Sequence, residues 1–150
     1  MILYLDASAL VKRYVAERGS DEVQRSVAEA EAVGTVIVSR AEVTAALAKA
    51  ARLGVLTRAG ARAADRRLRR DWPDFVRLPV SEPLLERASQ FAWDFGLRGY
   101  DSVQLAAGVL WQEVLQAEVA FATFDRQLWT TAGRAGLEAR PHDLPALLGA

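Results

Sequence analysis

The chain has 150 residues, 51% of them hydrophobic and 25% charged, and its 19 basic and 19 acidic side chains leave no formal net charge. That length supports one domain with a proper core and is short for two, while a zero balance excludes any general attraction for polyanions. With no cysteine present, disulfides, thiolate zinc sites and cysteine nucleophiles are excluded as well.

The first element is a short apolar run, Ile2-Leu3-Tyr4-Leu5, which ends abruptly in Asp6 and the small residues Ala7-Ser8-Ala9. It is long enough for one buried strand. It is too short, and lacks the basic leader and cleavage site, to be a signal peptide. Nothing in the chain approaches the roughly 20 apolar residues of a membrane span, so a cytoplasmic protein with no membrane association is expected.

Thr35-Val36-Ile37-Val38, β-branched throughout, reads as the second strand. A helical stripe follows, Val43, Ala46, Leu47, Ala50 and Leu53, stopped by Gly54. Arg58, Arg62, Arg66, Arg67, Arg69 and Arg70 then fall within thirteen positions opposed only by Asp65. Such a run is either a solvated helix face or a basic edge for phosphates or an acidic partner.

Phe75-Val76-Arg77-Leu78-Pro79-Val80 reads as a third strand whose proline places it near a sheet edge or ends it early. Leu84, Leu85, Ala88, Ala92 and Phe95 form the next helical stripe, opened by Ser81 and Pro83 and closed by Gly96. Val103, Ala106, Ala107, Leu110 and Val114 form another. Val119-Ala120-Phe121-Ala122 is the fourth strand, and Leu137-Glu138-Ala139-Arg140, closed by Pro141, a short fifth. Strands alternating with helices predict an α/β fold, a mainly parallel sheet of four to five strands covered on both faces. No linker or repeat interrupts residues 1–150, so one domain is expected.

Four acids fall at corners of this pattern: Asp6 after the first strand, Glu42 and Asp101 at helix starts, and Asp125 after the fourth strand. Taken singly, each reads as a helix cap; Ser39-Arg40-Ala41-Glu42 has capping-box spacing and Asp101-Ser102-Val103-Gln104 resembles one. Capping does not explain why several should reach one sheet edge, where ligands of parallel sheets sit. Two unit charges at 4 Å repel by about 4 kcal/mol at an effective dielectric near 20, so a cluster of this kind needs protons or a cation. Oxygen donors alone favour Mg²⁺ or Mn²⁺, with part of the coordination through water. Such an ion can polarise a phosphodiester and lower the pKa of a bound water. Ser8 and Thr123, each two residues from a corner acid, either orient a carboxylate or phosphate or bond locally to the backbone.

The segments Leu5-Asp6-Ala7-Ser8-Ala9-Leu10-Val11-Lys12, Ser39-Arg40-Ala41-Glu42-Val43, 96–106 and Ala122-Thr123-Phe124-Asp125-Arg126-Gln127-Leu128 together resemble the PIN-domain ribonucleases. More closely, they resemble the VapC toxins of type II toxin–antitoxin systems, in order, spacing and length. The stretch from Gly96 to Ala106 is the most specific piece. The resemblance implies an α/β/α sandwich and a metal-dependent endoribonuclease that is the toxin of a pair. It also implies a cognate VapB-like antitoxin and a homodimer. The family's acidic metal cluster falls on Asp6, Glu42, Asp101 and Asp125, with Asp6 and Asp101 the most direct ligands, and its hydroxyl position on Thr123. Some relatives carry a further acid near the last corner where this chain has Arg126, Gln127 and Leu128, so one or two ions are implied.

Other features carry less. His142, the only histidine, acts as a general base only if it reaches the acidic corner. Trp72, Trp93, Trp111 and Trp129 read as core or interface anchors, with Trp111 and Trp129 candidates for a dimer or antitoxin groove. A phosphoryl-accepting receiver-like module needs a lysine near the last strand, and the only lysines are Lys12 and Lys49. A phosphatase with Asp6 as nucleophile resembles Asp-x-Asp, where this chain has Asp6-Ala7-Ser8. An inert scaffold in which all four acids are caps would gain no stability from divalent ions.

Overall fold

A computed structural model describes residues 1–149. Five parallel strands, β1 (Ile2–Leu5), β2 (Ala32–Val36), β3 (Val76–Leu78), β4 (Val119–Ala122) and β5 (Glu138–Arg140), form one sheet in the order β3-β2-β1-β4-β5. The helices between them are α1 (Ala7–Val11), α2 (Ser20–Glu29), α3 (Ser39–Arg52), α4 (Arg58–Asp71), α5 (Glu82–Phe95), α6 (Gly99–Leu115) and α7 (Arg126–Arg134), and α8 (Leu144–Leu148) follows β5.

Side chains alternate across a strand, and here the alternation builds two cores. Leu3 and Leu5 of β1, with Ala120 and Ala122 of β4, face α1, α2, α3 and α4. Tyr4, Val119 and Phe121 point the other way, toward α5, α6 and α7. The result is a three-layer α/β/α sandwich, as the sequence predicts. Tyr4 and Phe121 stack across neighbouring strands at 4.9 Å. A Cβ on Gly34 would stand 2.6 Å from the Trp111 ring, and one on Gly108 would stand 2.7 Å from Phe121. Glycine at these two positions lets α6 lie close against the sheet.

Two expectations shift. The second strand begins at Ala32 and ends at Val36, because Ile37 and Val38 already turn into α3. Gly34, inside this strand, is the seat of the Trp111 ring. The third strand ends before Pro79 and lies at the sheet edge, as that proline predicts.

The chain builds β1, β2 and β3 outward on one side, then returns to lay β4 on the other side of β1. This reversal opens a crevice beyond the carboxyl ends of β1 and β4, the usual ligand position in such sheets.

Candidate active site

Asp6 is the residue immediately after β1, and register pairs Leu5 with Ala122, so Thr123 stands beside it across the crevice. The Asp6 N–H donates to the Ala122 carbonyl at 3.1 Å, which fixes the backbone at this point. Its carboxyl group is only 3% exposed as a residue and is held by donors on both oxygens. Oδ1 accepts from Ser8 Oγ at 2.7 Å and from the Ala9 N–H at 2.8 Å, the latter capping α1. Oδ2 accepts from Thr123 Oγ1. Ser8 Oγ in turn accepts from the Phe124 N–H at 2.8 Å, and Thr123 Oγ1 from the Asp125 N–H at 3.1 Å. Both hydroxyls thus orient the carboxylate; Thr123 also makes the local backbone bond weighed for it, whereas the backbone partner of Ser8 lies 116 residues away.

Asp125 caps α7 through Oδ1, which accepts from the Leu128 N–H at 2.7 Å. Asp101 lies in the first turn of α6, with Arg98 Nε 3.6 Å from its Oδ2. Glu42 lies in the first turn of α3, where its Oε1 accepts from Gln104 Nε2 at 2.8 Å. Two expected capping boxes are absent. The helices begin at Ser39 and Gly99, so Val38 and Arg98 occupy the N-cap positions without side-chain caps, and Ser39 and Gln104 are buried. Ser102 bonds to the Arg98 carbonyl at 3.0 Å.

What those inward residues do was not legible as chemistry in the sequence. The Val36 N–H donates to Tyr4 Oη at 3.3 Å, and the Tyr4 hydroxyl donates to Gln104 Oε1 at 2.6 Å. The two amide protons of Gln104 go to Ser39 Oγ at 2.9 Å and to Glu42. Thr35 Oγ1 lies 2.7 Å from both Ser39 Oγ and the Leu5 carbonyl. Burial pushes the Tyr4 phenol well above its ordinary range, so it remains a donor. The available sequence signal was a glutamine on the apolar face of a buried helix.

The electrostatics couple the four acids pairwise. Burial pushes the Asp6 carboxyl up to about 6, against the opposing pull of its Thr123, Ser8 and Ala9 hydrogen bonds, and the charge on Glu42 raises it further. Burial raises Glu42, as does Asp101, while the Gln104 hydrogen bond lowers it. Burial also raises Asp101, and Asp125 adds to this while Arg98 opposes it. Repulsion therefore runs from Asp6 to Glu42, from Glu42 to Asp101 and from Asp101 to Asp125. Among the described residues Arg98 is the one cation paired with any of the four, and it is itself 85% exposed. Also among the described residues, no three acidic or histidine side chains already stand together as a ligand set. A buried carboxylate coupled to a second acid, with oxygen donors alone, suits a hard divalent ion that keeps much of its water.

Other sequence candidates lie elsewhere. Trp72 and Trp111 are buried in the two cores, which removes Trp111 as a groove residue. Trp129 is anchored by its ring N–H to the Pro141 carbonyl at 2.7 Å, whereas Trp93 is 90% exposed. His142 is exposed and has no side-chain hydrogen bond among the described residues. In α4 the arginine run surrounds a buried stripe of Ala61, Ala64 and Leu68, with Arg67 bonded to the Tyr14 carbonyl, Arg69 to Asp65 and Arg70 to Asp71. Lys12 is engaged by Glu17 and the Arg18 carbonyl and lies over Phe124. No helix among the described residues is long and apolar enough to cross a membrane.

Residues 3–134 match the PIN domain family. The chain is 34% identical over 147 residues to Ribonuclease VapC45 and to Ribonuclease VapC49, from two strains of Mycobacterium tuberculosis, covering 95% of this chain and 97% of each relative. Among solved structures it resembles PAE2754 from Pyrobaculum aerophilum, with a TM-score of 0.63, 23% identity and coverage of 100% and 91% of the two chains. It also resembles a toxin–antitoxin complex from Klebsiella pneumoniae, with a TM-score of 0.57, 16% identity and coverage of 82% and 86%.

Proposed function

Because the chain belongs to the PIN-domain family and is of the VapC type, we propose that it hydrolyses RNA phosphodiester bonds at a carboxylate-held Mg²⁺ or Mn²⁺ site and is the toxin of a toxin–antitoxin pair. The observation that carries this reading is Asp6: a buried carboxyl at the sheet's switch point, repelled by Glu42 and paired with no cation among the described residues. The ribonuclease names of its relatives support RNA as the substrate.

In this reading Asp6 and Asp101 hold the ion directly, and Glu42 and Asp125 hold it directly or through water. When bound, one or two such ions supply a Lewis acid that stabilises charge developing on a phosphoryl group. The protein's part is positioning. Ser8 and Thr123 fix the Asp6 carboxylate with their hydroxyl protons, and the Ala9 N–H aligns the same oxygen that Ser8 holds. Arg98, 85% exposed and 3.6 Å from Asp101, is the cation nearest this acid. A VapB-like antitoxin covering the acidic edge, and pairing of two copies, complete the proposal.

The competing readings lose ground on geometry. With donors on both oxygens, Asp6 is a poor nucleophile for a phosphatase, and Lys12 is tied to Glu17 and Arg18 instead of reaching into a receiver-like site. The test is cleavage of total RNA by the purified chain with Mg²⁺ or Mn²⁺, with a chelator, and with Asp6→Asn or Asp101→Asn. Cleavage should need the ion and vanish in both variants. Undiminished, chelator-resistant cleavage by those variants would refute the proposal.

A further inference from the structure

We infer that Gln104 is a positioning residue that, held by Tyr4 and Ser39, fixes one oxygen of Glu42 and leaves the other turned to the acidic edge. The inference rests on the reading of this edge as a divalent-ion site.

The argument begins with the amide's surroundings. Gln104 is 2% exposed, and Tyr4, Ser39 and Thr35 are as deeply buried. Burying such groups costs free energy unless each is paired, and apolar residues would fill the same space without that risk. Here the pairing is complete and has only one sense. The Tyr4 hydroxyl occupies Oε1, so the NH₂ end must face Ser39 and Glu42. Tyr4 is oriented in turn by the Val36 N–H, and its ring is clamped against Phe121. Ser39 is set by Thr35, which also reaches the Leu5 carbonyl, one residue before Asp6.

The network therefore joins β1, β2, α3 and α6, the elements that carry or adjoin Asp6, Glu42 and Asp101. It ends in one outward bond, from Nε2 to Glu42 Oε1. Glu42 Oε2 has no protein donor among the described residues, which leaves it for a cation or its water. Gln104 also lies three residues from Asp101, one turn along α6, so a single helix supplies an acid and the holder of another. Groups that orient a ligand typically change metal affinity or activity by 10- to 100-fold when removed.

The test is a double-mutant cycle read by calorimetric Mn²⁺ binding to the full chain. Gln104→Met, which keeps length and loses the amide, should weaken Mn²⁺ binding about tenfold or more. In a Glu42→Ala background the same change should have less than about a twofold effect, since nothing remains to orient. Metal-free melting temperature is measured alongside, because a purely structural glutamine would lower it in both backgrounds without this selectivity. If Gln104→Met fails to fold, Tyr4→Phe carries the same test, with a smaller weakening that again disappears without Glu42. Equal weakening in both backgrounds, or none in either, overturns the positioning role. If Asp6→Asn abolishes Mn²⁺ binding while Gln104→Met leaves it intact, only the inference fails; if the unaltered chain takes no Mn²⁺, the underlying reading fails with it.

Discussion

Replacing Asp6 with asparagine should make the metal-free protein more stable at neutral pH. Burial pushes the folded-state Asp6 carboxyl up to about 6, whereas in the unfolded chain it is an ordinary carboxyl near 3.8. Between those values the folded state binds more protons than the unfolded state, so stability falls as pH rises. The Asp6 contribution is fully present below pH 4 and is lost above pH 6. A difference of about two pH units corresponds to about 3 kcal/mol near pH 7. Asparagine never ionises, but only its oxygen can accept, from Ser8 and Ala9, and its NH₂ meets Thr123 Oγ1 as a donor, so the Thr123 proton loses its acceptor, which takes back about 1 kcal/mol. The net advantage of Asp6→Asn is therefore about 2 kcal/mol, or roughly 4–8 °C for a chain of this size.

The assay is thermal and urea unfolding from pH 4 to pH 8 in chelator, then with added Mn²⁺. The advantage of the variant should shrink as pH falls through 6, pass through zero between about pH 4 and 5, and reverse slightly below that. Added ion should reverse the order at pH 7, because only the native carboxylate gains binding energy from it. A variant less stable than the parent at pH 7 without metal, or a gap independent of pH, would refute the account of Asp6 as a buried charge awaiting a counterion.

Three further outcomes follow from the same structure. Thr123→Val removes a donor from Asp6 and an acceptor from the Asp125 N–H, so the midpoint pH for Mn²⁺ binding should move upward, as followed by calorimetry at several pH values. Asp125→Asn keeps a good N-cap for α7 but removes the charge; its unfolding free energy should change by less than about 0.5 kcal/mol, while RNA cleavage falls on the order of tenfold or more. Gly34→Ala drives a methyl against Trp111 and should cost about 1–3 kcal/mol in urea denaturation, with much of that loss recovered when Trp111 is shortened to leucine.

Much of this architecture can be read from period and punctuation. Ile2–Leu5 and Val119–Ala122 are found at the expected bounds, because buried parallel strands are near-continuous apolar runs. The helix opened by Ser81 and closed by Gly96 is also found, since both caps are local chemistry. The β2 boundary is displaced because Gly34 answers to Trp111, a contact made across 77 positions that no local rule contains. Val114 continues a helical stripe yet is 80% exposed, since periodicity names a face without saying where the neighbouring layer ends. In the site, the positions of the four acids were legible, but their dual character was not. Asp6 and Asp125 cap helices and are also charge-coupled to other acids, whereas Glu42 and Asp101 lie inside first turns that have other N-caps. Gln104 was hidden for a related reason: its meaning depends on Tyr4 and Glu42, which arrive from separate strands and helices.

The two outermost strands, three residues apiece, have a consequence for how molecules of this protein meet. Arg77 sits in the middle of one, and an ion pair between Glu138 and Arg140 lies along the other. A proline follows each directly, Pro79 and Pro141. Brief, charged rims closed off by proline offer little template for a sixth strand. Polymerisation by strand addition is thereby discouraged, and a companion chain finds helices and loops to settle against.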